Sequence, residues 1–308
     1  MVVEEKTKIT NGVYMKEALL WESVGDNTVV CSLCAHRCRI TSGNSGVCSV
    51  RKNCDGTLYT YAYGRTVAEH VDPVEKKPLY HFLPKSTTYS IAAAGCNFRC
   101  GFCQNWNLSQ ISGMGDSAQH HGEKASPDNI VENALGAGCQ SISFTYTEPT
   151  IFFEYALDTA KIAKQRGLKT IFVSNGYMTS QALLMIHPYL DACNIDLKSF
   201  SDEFYKKNCG ASLQPVLDSL KLIKKLGIWL EVTTLIITGE NDSDEELKGI
   251  AEFIAGDLGK DVPWHVSRFF PQYKFSDRSV TNADSVKKAV EIGREAGLSF
   301  VYAGNIIL

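Results

Sequence analysis

The chain has 308 residues, of which 44% are hydrophobic and 21% charged, as in a globular protein large enough for one α/β barrel with an appendage or for two ordinary domains. Its 31 basic and 34 acidic residues give a net charge of −3 without a lysine- or arginine-rich run, so nucleic acid is not an expected partner. No run approaches about 18 apolar residues and the first residues lack an apolar signal core, so we expect a cytoplasmic protein without a membrane partner.

Residues 1–85 are predicted to form a separate cysteine-rich module, because they are rich in turns and show helical periodicity only over about 13–21. Four cysteines follow a Cys-x2-Cys-x3-Cys-x9-Cys pattern: Cys31, Cys34, Cys38 and Cys48. In a reducing compartment such a group favours metal binding over disulfides. The spacing fits either a tetrahedral zinc ion or an auxiliary 4Fe-4S cluster, and the residues alone do not separate the two.

Residues 70–84 combine prolines and charges with aromatic side chains. This composition is typical of an irregular segment rather than of a helix or strand. It is either a linker that follows the cysteine-rich module or a fixed segment that lies across the next domain.

Residues 86–308 alternate short β-branched or aromatic runs with amphipathic segments, which predicts about six βα units and a parallel sheet. The predicted strands cover 88–94, 141–146, 169–174, 192–197, 228–235, 264–268 and 299–302. The predicted helices cover 150–166, 180–186, 213–226, 244–255 and 283–296.

Three further cysteines, Cys96, Cys100 and Cys103, directly follow the first predicted strand in a Cys-x3-Cys-x2-Cys run. A structural metal ion normally has four protein ligands, whereas three thiolates hold three corners of a 4Fe-4S cube and leave one iron open. We therefore expect a cluster whose fourth iron can bind another molecule. The alternatives are three buried cysteines or a zinc loop.

Residues around this run extend the pattern: Gly95 precedes it, Phe102 stands before its last cysteine, and Asn105 and Trp106 follow. In this respect the loop resembles the cluster loop of radical S-adenosylmethionine (SAM) enzymes. In that family the amino and carboxylate groups of SAM chelate the open iron, and an electron from the cluster cleaves the sulfonium to a 5′-deoxyadenosyl radical. The resemblance implies a 4Fe-4S cluster and SAM, and an electron donor such as flavodoxin or ferredoxin.

The resemblance extends to the upstream run Cys-Ser-Leu-Cys-Ala-His-Arg-Cys and to the later Ser-Arg-Phe-Phe-Pro. With these, the chain is similar to radical enzymes of the AmmeMemoRadiSam group, which are often labelled homologues of pyruvate formate-lyase activating enzyme. The resemblance implies an α/β fold, a partial (β/α)6 TIM-type barrel with its site at the carboxyl ends of the strands. It does not identify a substrate, which is either a small molecule or a protein.

The resemblance also assigns cofactor-binding residues at three strand ends. Glu148 occupies the last position of the family's Gly-Gly-Glu stretch, although both glycines are replaced. Ser174 and Asn175 resemble a Thr-Asn-Gly motif, and Asp196 and Lys198 match an Asp-Leu-Lys motif, both from glycyl-radical activating enzymes. The alternatives are a helix-start carboxylate, an ordinary Asn-Gly turn and a surface ion pair.

Three other residues are weaker candidates. Phe102 would offer an apolar face near the adenine of SAM, or else it is a core aromatic. Cys209 would face the barrel mouth as a hydrogen-atom donor, or else it is a buried thiol. His265 would be a catalytic residue, or else a hydrogen-bonded core histidine.

The sequence therefore predicts an enzyme that reductively cleaves SAM at a 4Fe-4S cluster and abstracts a hydrogen atom from an unknown substrate. One alternative within this class is an activase that places a radical on a glycyl-radical enzyme. A third hypothesis, from another class, is a metal- or cluster-binding redox protein that does not turn over SAM.

Overall fold

Short antiparallel strands form the amino-terminal part of the computed structural model, which describes residues 7–10, 13–111 and 122–306. Strands β1 to β8 are Thr7–Thr10, Val13–Glu17, Trp21–Ser23, Val29–Cys31, Arg39–Ile40, Arg51–Cys54, Thr57–Thr60 and Arg65–Thr66. One sheet has the order β1-β2-β7-β6 and another the order β3-β4-β5. The helical periodicity over 13–21 was misleading, because β2 and β3 occupy most of this range.

An eight-stranded sheet forms the rest of the fold. Its strands are β9 (Ala68–Pro73), β10 (Thr87–Ala92), β12 (Ser141–Phe144), β13 (Lys169–Ser174), β14 (Ala192–Asp196), β15 (Trp229–Ile236), β16 (Trp264–Arg268) and β17 (Val301–Gly304). The order is β17-β16-β15-β14-β13-β12-β10-β9. The seven strands from β10 to β17 in this order are parallel, and β9 is antiparallel to β10. A two-residue strand, β11 (Glu123–Lys124), pairs with β8.

Helices follow the parallel strands in sequence. They are α1 (Trp106–Ser109), α2 (Pro127–Gly136), α3 (Phe153–Gln165), α4 (Ser180–Ile186), α5 (Asp202–Phe204), α6 (Gln214–Lys225), α7 (Asp244–Phe253) and α8 (Ala283–Glu295). Helix α2, which the sequence analysis did not predict, connects β10 to β12. Six strand-helix units precede β17, so the predicted partial (β/α)6 TIM-type barrel is confirmed.

The segment between β9 and β10 lies against the amino-terminal halves of the barrel strands. The Asn194 side chain donates to the Pro78 carbonyl at 2.7 Å, and the backbone N–H groups of Tyr80 and His81 donate to Glu231 at 3.0 and 2.9 Å. Val74 is among the apolar residues that pack here against the start of β13 and β14. Of the two interpretations of residues 70–84, the structure supports the segment that lies across the barrel.

The division into residues 1–85 and 86–308 stays a prediction, and β9, which precedes residue 86, pairs with β10 in the large sheet. None of the helices in the described part of the chain combines the length and the apolar composition that a bilayer-spanning helix needs.

Candidate active site

The loop with Cys96, Cys100 and Cys103 begins where β10 ends, at the carboxyl edge of the parallel strands. Gly95 opens it with φ +100°, and a β-carbon there would lie 2.9 Å from the Cys48 carbonyl oxygen, so only glycine fits. The Phe98 N–H donates to Cys96 Sγ at 3.3 Å. Backbone geometry therefore fixes the start of the loop beside the amino-terminal module.

The three thiols are close neighbours. Burial raises the pKa of the Cys96 thiol well above its ordinary value, and the negative charges of Glu148, Cys100 and Cys103 add to this effect. No group of three or more His, Cys, Asp or Glu residues within 7–10, 13–111 and 122–306 is arranged to hold one metal ion. A 4Fe-4S cluster binds each thiolate at a different iron, so adjacent but non-converging thiols fit a cluster better than a single ion.

Asn175 joins the strand end of β13 to this loop. Its amide nitrogen donates to Asn97 Oδ1 at 2.7 Å and lies 3.9 Å from Cys96 Sγ. Gly176, the next residue, has φ +72°, and a β-carbon there would lie 2.8 Å from the Ile195 side chain. The chain can therefore turn at this point only with glycine, and the turn aligns Asn175 with the loop.

Glu148 is buried behind Asn175 and accepts hydrogen bonds from the end of the neighbouring strand β13. One of its oxygens accepts from the Ser174 hydroxyl at 2.7 Å and the other from the Asn175 N–H at 2.8 Å. The Thr150 N–H also donates to it at 3.0 Å, which makes Glu148 the cap of the following short helix. Burial raises the pKa of Glu148, although these hydrogen bonds oppose the shift. Glu148 is thus a helix-start carboxylate, as the alternative interpretation has it, and it also contacts Ser174 and Asn175.

Asp196 and Lys198 form an ion pair of 2.7 Å at the end of β14, with the lysine largely buried at 14% side-chain exposure. Burial lowers the pKa of Lys198, but Asp196 and the thiols of Cys100 and Cys209 raise it well above its ordinary value overall. The ion pair therefore lies beside the thiol group, not on the outer surface of the barrel.

Phe102 is buried and packs against Phe204 and Phe275, with ring centroids 5.9 and 5.8 Å apart. The Lys198 ammonium lies 5.9 Å from the centre of the Phe102 ring. The side chain therefore belongs to an aromatic core and also borders the ion pair.

Cys209 is a fourth thiol at this site. It is fully buried, its carbonyl accepts from the Arg99 N–H at 2.7 Å, and its side chain hydrogen-bonds to Cys100 and lowers the pKa of that thiol. Gly210 follows in the left-handed region at φ +66°. Of the two interpretations of Cys209, the structure supports the buried thiol, and its contact with the cysteine loop was not predicted.

His265 does not join this group. It is the second residue of β16, and its Nε2 lies 2.6 Å from Glu231, near the strand ends covered by the segment between β9 and β10. Tyr302 stacks on the imidazole, and Tyr80 meets it edge-on. The contacts are those of the alternative, a hydrogen-bonded core histidine.

Two polar groups near the site were not predicted. Asn97 accepts from Asn175 and was overlooked because it lies inside the cysteine run. Lys77 donates to Asp72 at 2.6 Å, and the Tyr146 hydroxyl also donates to this carboxylate. The Tyr146 carbonyl accepts from Asn105 in the loop at 2.7 Å. The proline- and charge-rich composition of 70–84 was the only signal for the Asp72-Lys77 pair.

The four amino-terminal cysteines line a common cavity directly beside the loop. His36 Nε2 lies 2.7 Å from the Asn97 carbonyl, and the Arg99 guanidinium donates to the Val47 carbonyl. The two groups of cysteines thus adjoin each other.

Comparisons with known proteins identify the family to which the chain belongs. The model of the radical SAM superfamily matches residues 90–254, more than half of the chain. A Methanocaldococcus jannaschii protein described as uncharacterised is 43% identical over 292 residues, which cover 95% of this chain and 86% of that protein. The pyruvate formate-lyase-activating enzyme of Clostridium pasteurianum is 24% identical over 163 residues, 52% of this chain and 66% of that enzyme.

Among solved structures, a radical SAM methyltransferase from Sphaerobacter thermophilus shares the fold with a TM-score of 0.54 and 15% identity, over 72% of this chain and 67% of that one. The chain therefore belongs to the radical SAM superfamily, whose enzymes use a 4Fe-4S cluster and SAM for radical chemistry.

Proposed function

We propose that Cys96, Cys100 and Cys103 hold the 4Fe-4S cluster and leave its fourth iron open to the amino and carboxylate groups of SAM. When bound, the cluster supplies one electron that breaks a carbon-sulfur bond of SAM, which yields methionine and a 5′-deoxyadenosyl radical that abstracts hydrogen from a substrate. The observation that carries the proposal is the meeting of three thiols with polar residues from β13 and β14 at one edge of the parallel sheet.

Each strand end has a distinct part in the proposal. Asn175 and Ser174 position the methionine part of SAM next to Cys96, and Glu148 orients both through its two oxygens. Asp196 and Lys198 contribute charges near Cys100, and Phe102 supplies the apolar surface beside them. Because Glu148 is buried and its oxygens are engaged by protein donors, it is a positioning residue for SAM.

The direct test is anaerobic reconstitution with iron and sulfide, followed by dithionite, SAM and assay for 5′-deoxyadenosine. The wild type should release 5′-deoxyadenosine and methionine, and Cys100→Ala should release neither. Cys139→Ala is the matched control, because this buried thiol lies in the connection between α2 and β12, before the amino terminus of β12. A reducible cluster without 5′-deoxyadenosine would support the redox-protein alternative instead.

A second candidate function is the activation of a partner protein, in which this enzyme would generate a glycyl radical on the partner. Relatives named as activating enzymes support it, including the 4-hydroxyphenylacetate decarboxylase activating enzyme of Clostridium scatologenes, 26% identical over 37% of each protein. We therefore propose a protein substrate, a flavodoxin or ferredoxin as the electron donor, and a cytoplasmic location. Incubation with a glycyl-radical enzyme from the same cell should produce a glycyl doublet in electron paramagnetic resonance, and no doublet with a competent partner contradicts this candidate.

A further inference from the structure

The amino-terminal cysteines meet although they come from different strands and turns. Cys31 ends β4, and its N–H donates to the Cys38 carbonyl at 2.9 Å. Cys34 bridges to Met178 at the start of the barrel helix α4, and Cys48 precedes β6. All four line one cavity, whose other lining residues are mainly apolar: Leu33, Ile40, Val47 and Ile151.

None of these thiols is in a disulfide, and the backbone N–H groups of His36, Val47 and Val50 hydrogen-bond to Cys34, Cys38 and Cys48 in that order. Arg51 also lines the cavity, and its side chain is 2% exposed. The Nη1 atom of Arg51 donates to Glu154 at 2.9 Å, but its Nε has no hydrogen-bond partner within the described residues. A buried, unpaired N–H beside four thiols is the donor that an anionic metal-thiolate centre needs.

The shape of the site separates a single ion from a cluster. Four thiolates around zinc would converge at about 2.3 Å from one point and leave no cavity between them. Here the four thiols line a cavity, and within the described residues no three of them form a group placed to hold one ion. The Cys96, Cys100 and Cys103 thiols show the same non-converging arrangement, and this comparison rests on the proposed function.

We infer that Cys31, Cys34, Cys38 and Cys48 hold a second 4Fe-4S cluster, fully ligated by protein. It lies beside the radical cluster, because the carbonyl of Cys48 faces Gly95 and His36 contacts the carbonyl of Asn97. Unlike the radical cluster, this centre has no open iron for SAM, since all four corners have a thiolate. Its Arg51 contact stabilises the negative charge of the cluster and its ligands.

Metal analysis of the full chain, purified anaerobically and reconstituted, tests this inference. The variant with Cys96→Ala, Cys100→Ala and Cys103→Ala keeps the amino-terminal cysteines and should contain about four irons and four sulfides per chain. About four irons per chain are also expected in the variant that lacks the amino-terminal group, with Cys31→Ala, Cys34→Ala, Cys38→Ala and Cys48→Ala. The wild type should contain about eight irons per chain. Cys54→Ser is the control, because Cys54 ends β6 and is not part of the cavity lining.

About one zinc per chain in the variant without the radical-cluster cysteines, or no metal at all, overturns the inference. A wild type with only about four irons does so as well, even if the multiple variants do not fold. These readouts do not depend on SAM cleavage. A wild type with about eight irons that releases no 5′-deoxyadenosine would contradict the proposed function and leave the second cluster intact.

Discussion

The amide nitrogen of Asn175 lies 3.9 Å from the sulfur of Cys96 while it donates to Asn97 at 2.7 Å. This contact brings the end of β13 to the first proposed cluster ligand. Removal of a polar group next to a metal ligand typically reduces metal affinity or activity by about 10- to 100-fold. We therefore expect Asn175→Ala to lower the rate of 5′-deoxyadenosine formation by about that factor, with iron content near wild type.

Asn133→Ala is a suitable control for this prediction. Asn133 lies on the exposed face of α2, and its side chain contacts the Tyr89 hydroxyl at 3.5 Å. Its rate should match that of the wild type. Equal rates for the two variants would show that Asn175 has no part in positioning SAM.

The second prediction concerns the open iron. Cys209 lies next to Cys100 and would be the protein group to cap the fourth corner. If the fourth iron of the radical cluster is open, Cys209→Ala should contain as much iron as the wild type. Addition of SAM should then shift the electron paramagnetic resonance spectrum of the reduced wild type and that of the reduced variant in the same way. A spectrum that responds to SAM only after removal of Cys209 would show that this thiol occupies the corner.

The third prediction concerns Lys198. Lys198→Met leaves Asp196 unpaired beside the thiols and removes a cation near Cys100, so we expect SAM to bind about tenfold more weakly, which corresponds to about 1.4 kcal/mol. Equilibrium dialysis with the reconstituted protein measures this loss. Lys206→Met removes an exposed pair with Asp202 and should change binding by less than twofold, within the small effect of such pairs. An equal effect of both variants would contradict the proposal.

The same lysine has a consequence for pH. The pKa of Lys198 in the folded protein is raised well above its ordinary value. The side chain is therefore fully charged at and below its ordinary pKa, and it loses the charge only when the pH rises through the higher folded-state pKa. SAM binding should therefore show no transition from Lys198 between about pH 7 and pH 10. A loss of binding in this range that Lys198→Met abolishes would contradict the assigned environment.

The fourth prediction concerns stability. Glu154 accepts from Arg51 and from the Leu19 N–H at 2.6 Å, and both charged side chains are almost fully buried. Because Glu154→Ala removes the carboxylate partner of the buried Arg51 cation, we expect the free energy of unfolding to fall by about 3 to 5 kcal/mol in a urea titration. Glu132→Ala breaks an exposed pair with Arg166 and should cost less than about 1 kcal/mol. Equal midpoints for the two variants would contradict this prediction.

The barrel was predictable because its parallel strands carry apolar, β-branched runs that alternate with amphipathic helices. Strand β9 was not, since its residues 68–73 lack regular alternation, end in a proline and resemble a linker. The thiol run and the strand-end motifs predicted residues that the fold brings together at one edge of the parallel sheet, and their roles stay a proposal. His265 was misleading because sequence shows that a residue lies in a strand but not at which end its partner, here Glu231, will meet it.

The features of the site that could not be predicted depend on contacts between segments that are distant in the sequence. Glu148 was recognised as either a cofactor residue or a cap, and the structure gives it hydrogen bonds with Thr150, Ser174 and Asn175 at once. The proximity of the two cysteine groups depends on how the amino-terminal sheets dock on the barrel. No local pattern encodes that docking.

The tight fit at Gly95 has a consequence for how the two cysteine groups can vary. No β-carbon fits between this residue and the Cys48 carbonyl, so a side chain at position 95 would push the cysteine loop and the amino-terminal module apart. The contacts of His36 with Asn97 and of Arg99 with Val47 cross the same junction. The two proposed cluster sites therefore share one boundary, at which a single added side chain would disturb both.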